Sequence, residues 1–143
     1  MLLCDVNVLL GAHRVDHPAH DTLSAWVTAR LSDAEPFGIS ELVLSSVVRI
    51  ATNRRAFPAP ATPEEALDFC AALLAGRSSV VVAPGRRHWE IFDRLVRTVH
   101  ATANLIPDAY YAALAIENGA TFVTLDRGFA RFPGLRLMDP LAA

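Results

Sequence analysis

Residues 1–10 read MLLCDVNVLL, an apolar run interrupted by one acid, Asp5, and one amide, Asn7. Leu2, Leu3 and Cys4 precede the acid, and Val6, Val8, Leu9 and Leu10 follow it, so the segment predicts a buried strand from Leu2 to about Val6. A carboxylate beside such a strand loses hydration worth several kcal/mol unless something replaces it. Asp5 is therefore expected as a helix cap, half of an ion pair or a metal ligand, and the remainder of the chain has to choose.

Working outward, strand and helix patterns alternate. Leu23, Trp26, Val27, Ala29 and Leu31 recur at helical spacing behind Asp16-His17-Pro18, which predicts the first helix. A short strand over Pro36 to Ile39 runs into SELVLSSVVRIATN, where Ser40 is the expected N-cap of a second, deeply buried helix. RRAFPAPATP reads as a loop. Thr62, Pro63, Glu64 and Glu65 then give an N-cap, a proline at the first helical position and an acidic first turn for a third helix ending at Gly76. SSVVVAP is a β-branched run of strand length. RRHWEIFDRLVRTVHAT sets Trp89, Phe92, Leu95, Val96 and Val99 on one face of a fourth helix. IPDAYYAALAIENG is a fifth, closed by Asn118 and Gly119, and ATFVTLD and LRLMD supply the last strands. Apolar strands separated by helices predict an α/β fold with a mostly parallel central sheet between helical layers.

At 143 residues the chain is expected to form one domain, residues 1–143, with a single core. It is 52% hydrophobic with a mean hydropathy of +0.30, yet charged residues interrupt every stretch before membrane-spanning length. No membrane association and, with no signal-peptide pattern at MLLCD, a cytoplasmic location are expected. Cys4 and Cys70 sit among apolar neighbours as reduced, buried thiols do. Every cationic side chain is arginine, and a net charge of −2 leaves phosphate binding to local clusters, Arg54-Arg55 and Arg86-Arg87.

In parallel sheets ligands bind at the carboxyl ends of the strands, so acids there carry the functional question. Asp5 ends the first strand and Asp126 ends TFVTLD. Glu41 opens the second helix, and Asp108 opens the fifth after Pro107, provided that Ala101 to Ile106 climb back to the same rim; six extended residues span about 20 Å. Such acids repel one another unless a cation joins them, and oxygen-only donors favour Mg2+ or Mn2+ over zinc. The matching chemistry is metal-assisted phosphodiester cleavage. Each acid also has a structural reading: the helix dipole alone favours Glu41 and Asp108, and Asp126 could start a turn. His13, His17 and His20 straddle Pro18 without a cysteine and read as a solvated helix entry, not a zinc site. His88 and His100 read as surface residues. Ser45 and Ser46 lack a nucleophile elbow, and no phosphate loop or dinucleotide fingerprint is present.

MLLCDVNVLL, together with IPDAYYAALAIENGATFVTLDRGFARF, resembles the PIN-domain ribonucleases, in particular the VapC-type toxins of bacterial toxin-antitoxin operons. The likeness spans the whole chain, through DHPAH, LVLSSVVRIATNRRAF and LRLMDP. It implies a PIN-like three-layer α/β/α sandwich and a Mg2+-dependent endoribonuclease (Mn2+ substituting), usually a homodimer, neutralised by a VapB-type antitoxin. It further implies that Asp5 and Asp108 are core metal ligands, that Asp126 completes the cluster, and that Asn7 and Thr124 support it. Two departures stand out. Many PIN domains carry a glutamate at the position aligned with Ser46, where this chain offers Glu41 five residues earlier. Five residues advance a helix about 7.5 Å and rotate it about 140°, so Glu41 must reach a metal from the helix start. Gly128 stands where many members place another acid. These departures motivate an alternative, a catalytically weak member that binds RNA or its antitoxin without cleaving. Phe57-Pro58-Ala59-Pro60 is expected to form part of the antitoxin contact.

Overall fold

The computed structural model describes residues 1–142. Its five strands are β1 (Leu2–Cys4), β2 (Phe37–Ile39), β3 (Ser79–Val81), β4 (Thr121–Val123) and β5 (Arg136–Met138). They form one sheet in the order β3-β2-β1-β4-β5, with every neighbouring pair parallel. Leu2 lies opposite Phe37 on one side and Thr121 on the other, so β1 is the central strand. The helices are α1 (Val6–His13), α2 (His20–Arg30), α3 (Glu41–Ala51), α4 (Pro63–Leu74), α5 (His88–Val99) and α6 (Leu105–Glu117), and a 3-10 helix, Arg127–Arg131, joins β4 to β5. The chain crosses one way from β1 to β3 and the other way from β3 to β5. Right-handed crossovers then put α1 to α4 on one face and α5 and α6 on the other, the α/β/α arrangement.

The opening apolar run is not one strand. β1 stops at Cys4, Asp5 is extended (φ −72°, ψ 160°), and Val6 begins α1, a helix absent from the sequence reading. Short apolar runs fit a strand and a buried helix equally well, and the switch is set by Asp5, whose Oδ1 accepts the Val6 N–H at 2.7 Å. Val8, Leu9 and Ala12 carry α1 into a core with Leu3, Phe122 and Leu114. Of the three inner strands, β1 and β2 are buried throughout and β4 is buried from Phe122 on. The edge strands expose Val80, Val81 and Met138, because each has a neighbour on one side alone.

The return to α6 also differs from expectation. Glu117, the last residue of α6, accepts N–H bonds from Gly85 (2.8 Å) and Arg87 (2.9 Å), which seats the start of α5 beside the end of α6. The descent is thus made by Val82 to Arg87, and α5 climbs back antiparallel to α6. Residues 100–104 only turn the corner, with His100 (φ 53°) and Ala103 (φ 50°) in the left-handed region. Two side chains exchange their expected places: Trp89 is 71% exposed, whereas His88 is buried, its Nε2 3.0 Å from the Tyr110 carbonyl. No described helix is long and apolar enough to cross a membrane. Cys4 and Cys70 are buried and unpaired, and burial pushes both thiols up.

Candidate active site

The crossovers diverge between β1 and β4, and the carboxyl ends of these two strands form the crevice in which doubly wound sheets bind ligands. Asp5 sits there, 7% exposed. Its N–H continues the sheet ladder to Val123 O (2.8 Å), fixing its backbone one residue beyond β1. The side chain is held from two directions: Oδ1 accepts from Val6 N–H, and Oδ2 accepts from the buried Thr124 hydroxyl at 2.6 Å. Thr124 Oγ accepts in turn from Asn7 Nδ2 (3.3 Å) and from the Asp126 N–H (3.0 Å), so its proton is committed to Asp5. Asn7 Oδ1 accepts the Leu125 N–H at 3.2 Å, tying α1 to the end of β4. Asn7 and Thr124 thus clamp the first acid to the strand end that leads to the third.

Asp108 comes from the first turn of α6. With Asp5, Asn7, Ser46, Arg49 and Tyr111 it lines an open hollow of about 310 Å3. Asp126 is exposed, just beyond Thr124, and its Oδ1 accepts the Gly128 N–H at 2.8 Å to start the 3-10 helix. Burial pushes the Asp5 carboxyl above its ordinary value; the Thr124 and Val6 hydrogen bonds pull it back, while the charges of Asp108 and Asp126 push it further up. Asp108 is likewise raised, by burial and then by Asp126, and drawn back by Arg131. The Asp126 charge thus reaches both of the other acids. Glu41 is not brought into this group. It is exposed on the first turn of α3 and lines a different hollow with Leu42, Val82, Pro84 and Tyr110. Ser46 occupies the place on α3 that faces Asp5 and Asp108, its Oγ 3.5 Å from Tyr111 Oη.

A family model described as PIN domain matches residues 2–135. The chain belongs to the PIN domain family. Within it, the chain is 44% identical over 141 residues to a VapC ribonuclease of Mycobacterium bovis, covering 99% of this chain and 96% of the relative. It is 41% identical over 140 residues to ribonuclease VapC25 of Mycobacterium tuberculosis, covering 98% and 99%. Among solved structures, VapBC2 from Rickettsia felis bound to a DNA fragment from its promoter superposes with a TM-score of 0.70 at 18% identity, covering 96% of each chain. Mycobacterium tuberculosis VapC20, a toxin that cleaves the sarcin-ricin loop, gives 0.65 at 17% identity, covering 95% of this chain and 99% of that one. These superpositions share the fold.

The acids around this crevice suit a hard divalent ion. Asp5, Asp108 and Asp126 offer carboxylate oxygens alone, and the raised Asp5 and Asp108 carboxyls are those that a cation would relieve. Among the described residues no three His, Cys, Asp or Glu side chains are grouped so as to hold a metal ion. Mg2+ suits such an open arrangement because it retains several waters and needs only one or two protein carboxylates.

Three cations nearer these acids escaped the sequence reading, Arg49, Arg131 and Arg127, the last adjoining Asp126 and lining a hollow with it. Arg49 lies in the hollow, and Arg131 lies close enough to Asp108 to act on its charge. Arg49 is one helical turn beyond Ser46, a spacing that could have marked it. Arg54, Arg55, Arg86 and Arg87, chosen because they are paired in sequence, are all exposed and lie outside the hollow. The three early histidines serve separate local contacts and are half-buried, not solvated. His13 packs on Phe69 (4.7 Å between ring centroids), His17 Nδ1 accepts the Ala19 N–H, and His20 Nδ1 is 3.0 Å from Gly11 O.

Proposed function

We propose that this chain is a divalent-metal-dependent endoribonuclease of the VapC type, the toxin of a toxin-antitoxin pair, with Asp5, Asp108 and Asp126 as the residues that hold Mg2+ or Mn2+. The observation that carries the reading is the presence of Asp108 and the buried Asp5 on one hollow beside the β1–β4 switch point, with the Asp126 charge near enough to push both carboxyls up. Its relatives named VapC ribonucleases, matched over nearly their whole length, support RNA as the substrate class. When bound, the divalent ion supplies an activated water and neutralises charge developing on the phosphate. The chain's own contribution is positioning. Thr124 holds Asp5 in one rotamer with its second oxygen hydrogen-bonded, Asn7 fixes the strand end, and the first turn of α6 presents Asp108 across the hollow. Glu41 lies outside this ligand set.

The VapBC complexes among the structural neighbours support a VapB-type antitoxin as partner, and the family resemblance supports a cytoplasmic homodimer. Gly128 and Ser46, two positions without a carboxylate around the site, favour the second reading, a protein that binds RNA or antitoxin and does not cut. Mn2+ titration followed by electron paramagnetic resonance, run beside RNA cleavage, tests the proposal. Wild type should bind Mn2+ and cleave, and Asp5→Asn should lose both; Mn2+ bound without cleavage supports the second reading, and neither binding nor cleavage in folded protein removes the first.

A further inference from the structure

The 3-10 helix after Asp126 holds a guanidinium against the acid cluster. Arg131 folds back over the turn, and its Nε donates to the Gly128 carbonyl at 2.8 Å. A Cβ built on Gly128 would stand 3.2 Å from Arg131 Nη2 and 2.9 Å from Asp126 Oδ1. The space that any other side chain at 128 would enter is thus bordered by the Arg131 guanidinium on one side and by the Asp126 carboxylate on the other. Arg131 is exposed, and among the described residues it forms no ion pair. Its Nε is committed to a carbonyl while both Nη groups keep their N–H donors for a ligand. Its charge also reaches Asp108, which it draws downward.

A phosphodiester approaching three carboxylates is repelled, and a cation fixed at their edge offsets that repulsion. Guanidinium suits the task because its planar fork matches phosphate oxygens in a bidentate way. Anchoring Nε in advance lowers the ordering cost of the contact. Arg49 in the Asp108 hollow and Arg127 beside Asp126, the other cations near the acids, have no side-chain hydrogen bond among the described residues to fix them.

We propose that Arg131, seated on Gly128, is the residue that contacts the RNA phosphate at the Asp5–Asp108–Asp126 site. This inference rests on the ribonuclease reading above. The test is fluorescence anisotropy of a fluorescein-labelled single-stranded RNA with antitoxin-free protein in Ca2+, repeated over a salt series, with intact RNA verified on a gel. Arg131→Ala should weaken binding about tenfold and lower the salt slope by about 0.7, the contribution of one phosphate contact on a single strand. Arg131→Lys should keep the slope and lose part of the affinity. Arg77→Ala, at the opposite end of the sheet, should bind as wild type does. RNA bound equally by wild type and Arg131→Ala with one salt slope overturns the inference and leaves the ribonuclease reading standing. RNA not bound by wild type overturns that reading itself.

Discussion

Replacing Thr124 by valine removes one hydroxyl and almost nothing else, since the β-branched shape is kept at the end of β4. That hydroxyl makes three contacts: it donates to Asp5 Oδ2 at 2.6 Å and accepts from Asp126 N–H and Asn7 Nδ2. The bond to the carboxylate is the largest, and hydrogen bonds to charged groups contribute about 1.5–3 kcal/mol. Asn7 Nδ2 would lose its acceptor, whereas the Asp126 N–H lies at an exposed turn where water can replace Thr124. Urea denaturation should therefore show Thr124→Val destabilised by about 3 kcal/mol, and Thr124→Ser, which keeps the hydroxyl, by about 1 kcal/mol. With its donor gone, the Asp5 carboxyl rises further and its rotamer is freed, so Mg2+ affinity measured by calorimetry should fall by about 10–100-fold. A Thr124→Val protein within about 0.5 kcal/mol of wild type, with unchanged Mg2+ affinity, would refute the claim that this hydroxyl positions Asp5.

The raised Asp5 carboxyl makes metal-free stability pH-dependent with a definite sign. The folded state holds the proton more tightly than the unfolded one, so stability from this group is present in acid and lost as pH rises through its folded value. Thermal melts in EDTA should find Asp5→Asn more stable than wild type at neutral pH, with the difference shrinking as pH falls toward the ordinary carboxylate value of 3.8; a pH-independent difference would contradict this. Arg14 is buried, forks onto Asp16 (3.0 and 2.6 Å), donates to Ala59 O (2.9 Å) and lies 4.0 Å over the Phe57 ring, so it pins the loop after α3. Arg14→Ala should speed tryptic cleavage after Arg54 and Arg55, and an unchanged digestion rate would show the loop held by other contacts. Glu41→Ala should leave cleavage near wild type, while Ser46→Glu, which adds a carboxylate inside the hollow, should tighten Mg2+ binding; loss of cleavage in Glu41→Ala would return Glu41 to the site.

The parallel α/β fold was legible because short apolar or β-branched runs alternate with helices that carry strong end signals, such as the Thr62–Glu65 capping box that opens α4 ahead of β3. α1 was not, because Val6–Leu10 carries no periodicity that separates a strand from a buried helix; only the Asp5 cap, a contact one residue long, makes the switch. The convergence of Asp5 and Asp108 follows from strand-end geometry, yet the route to Asp108 was misread, since the Glu117 anchor that sets the direction of α5 spans 32 residues in sequence. Trp89 and His88 are neighbours with opposite burial, a choice made by the Tyr110 carbonyl on another helix. Arg131 was invisible for a related reason: a lone arginine gains its position from one backbone carbonyl, that of Gly128.

The most direct test of the account is incubation of a circular RNA with antitoxin-free protein and Mg2+, because a circle offers no end to an exonuclease and yields a linear product only by internal cleavage. The account predicts linear RNA from wild type, and an intact circle with Asp5→Asn, with Asp108→Asn or after chelation. A circle left intact by folded wild type, or linearised equally by Asp5→Asn or in EDTA, would contradict it.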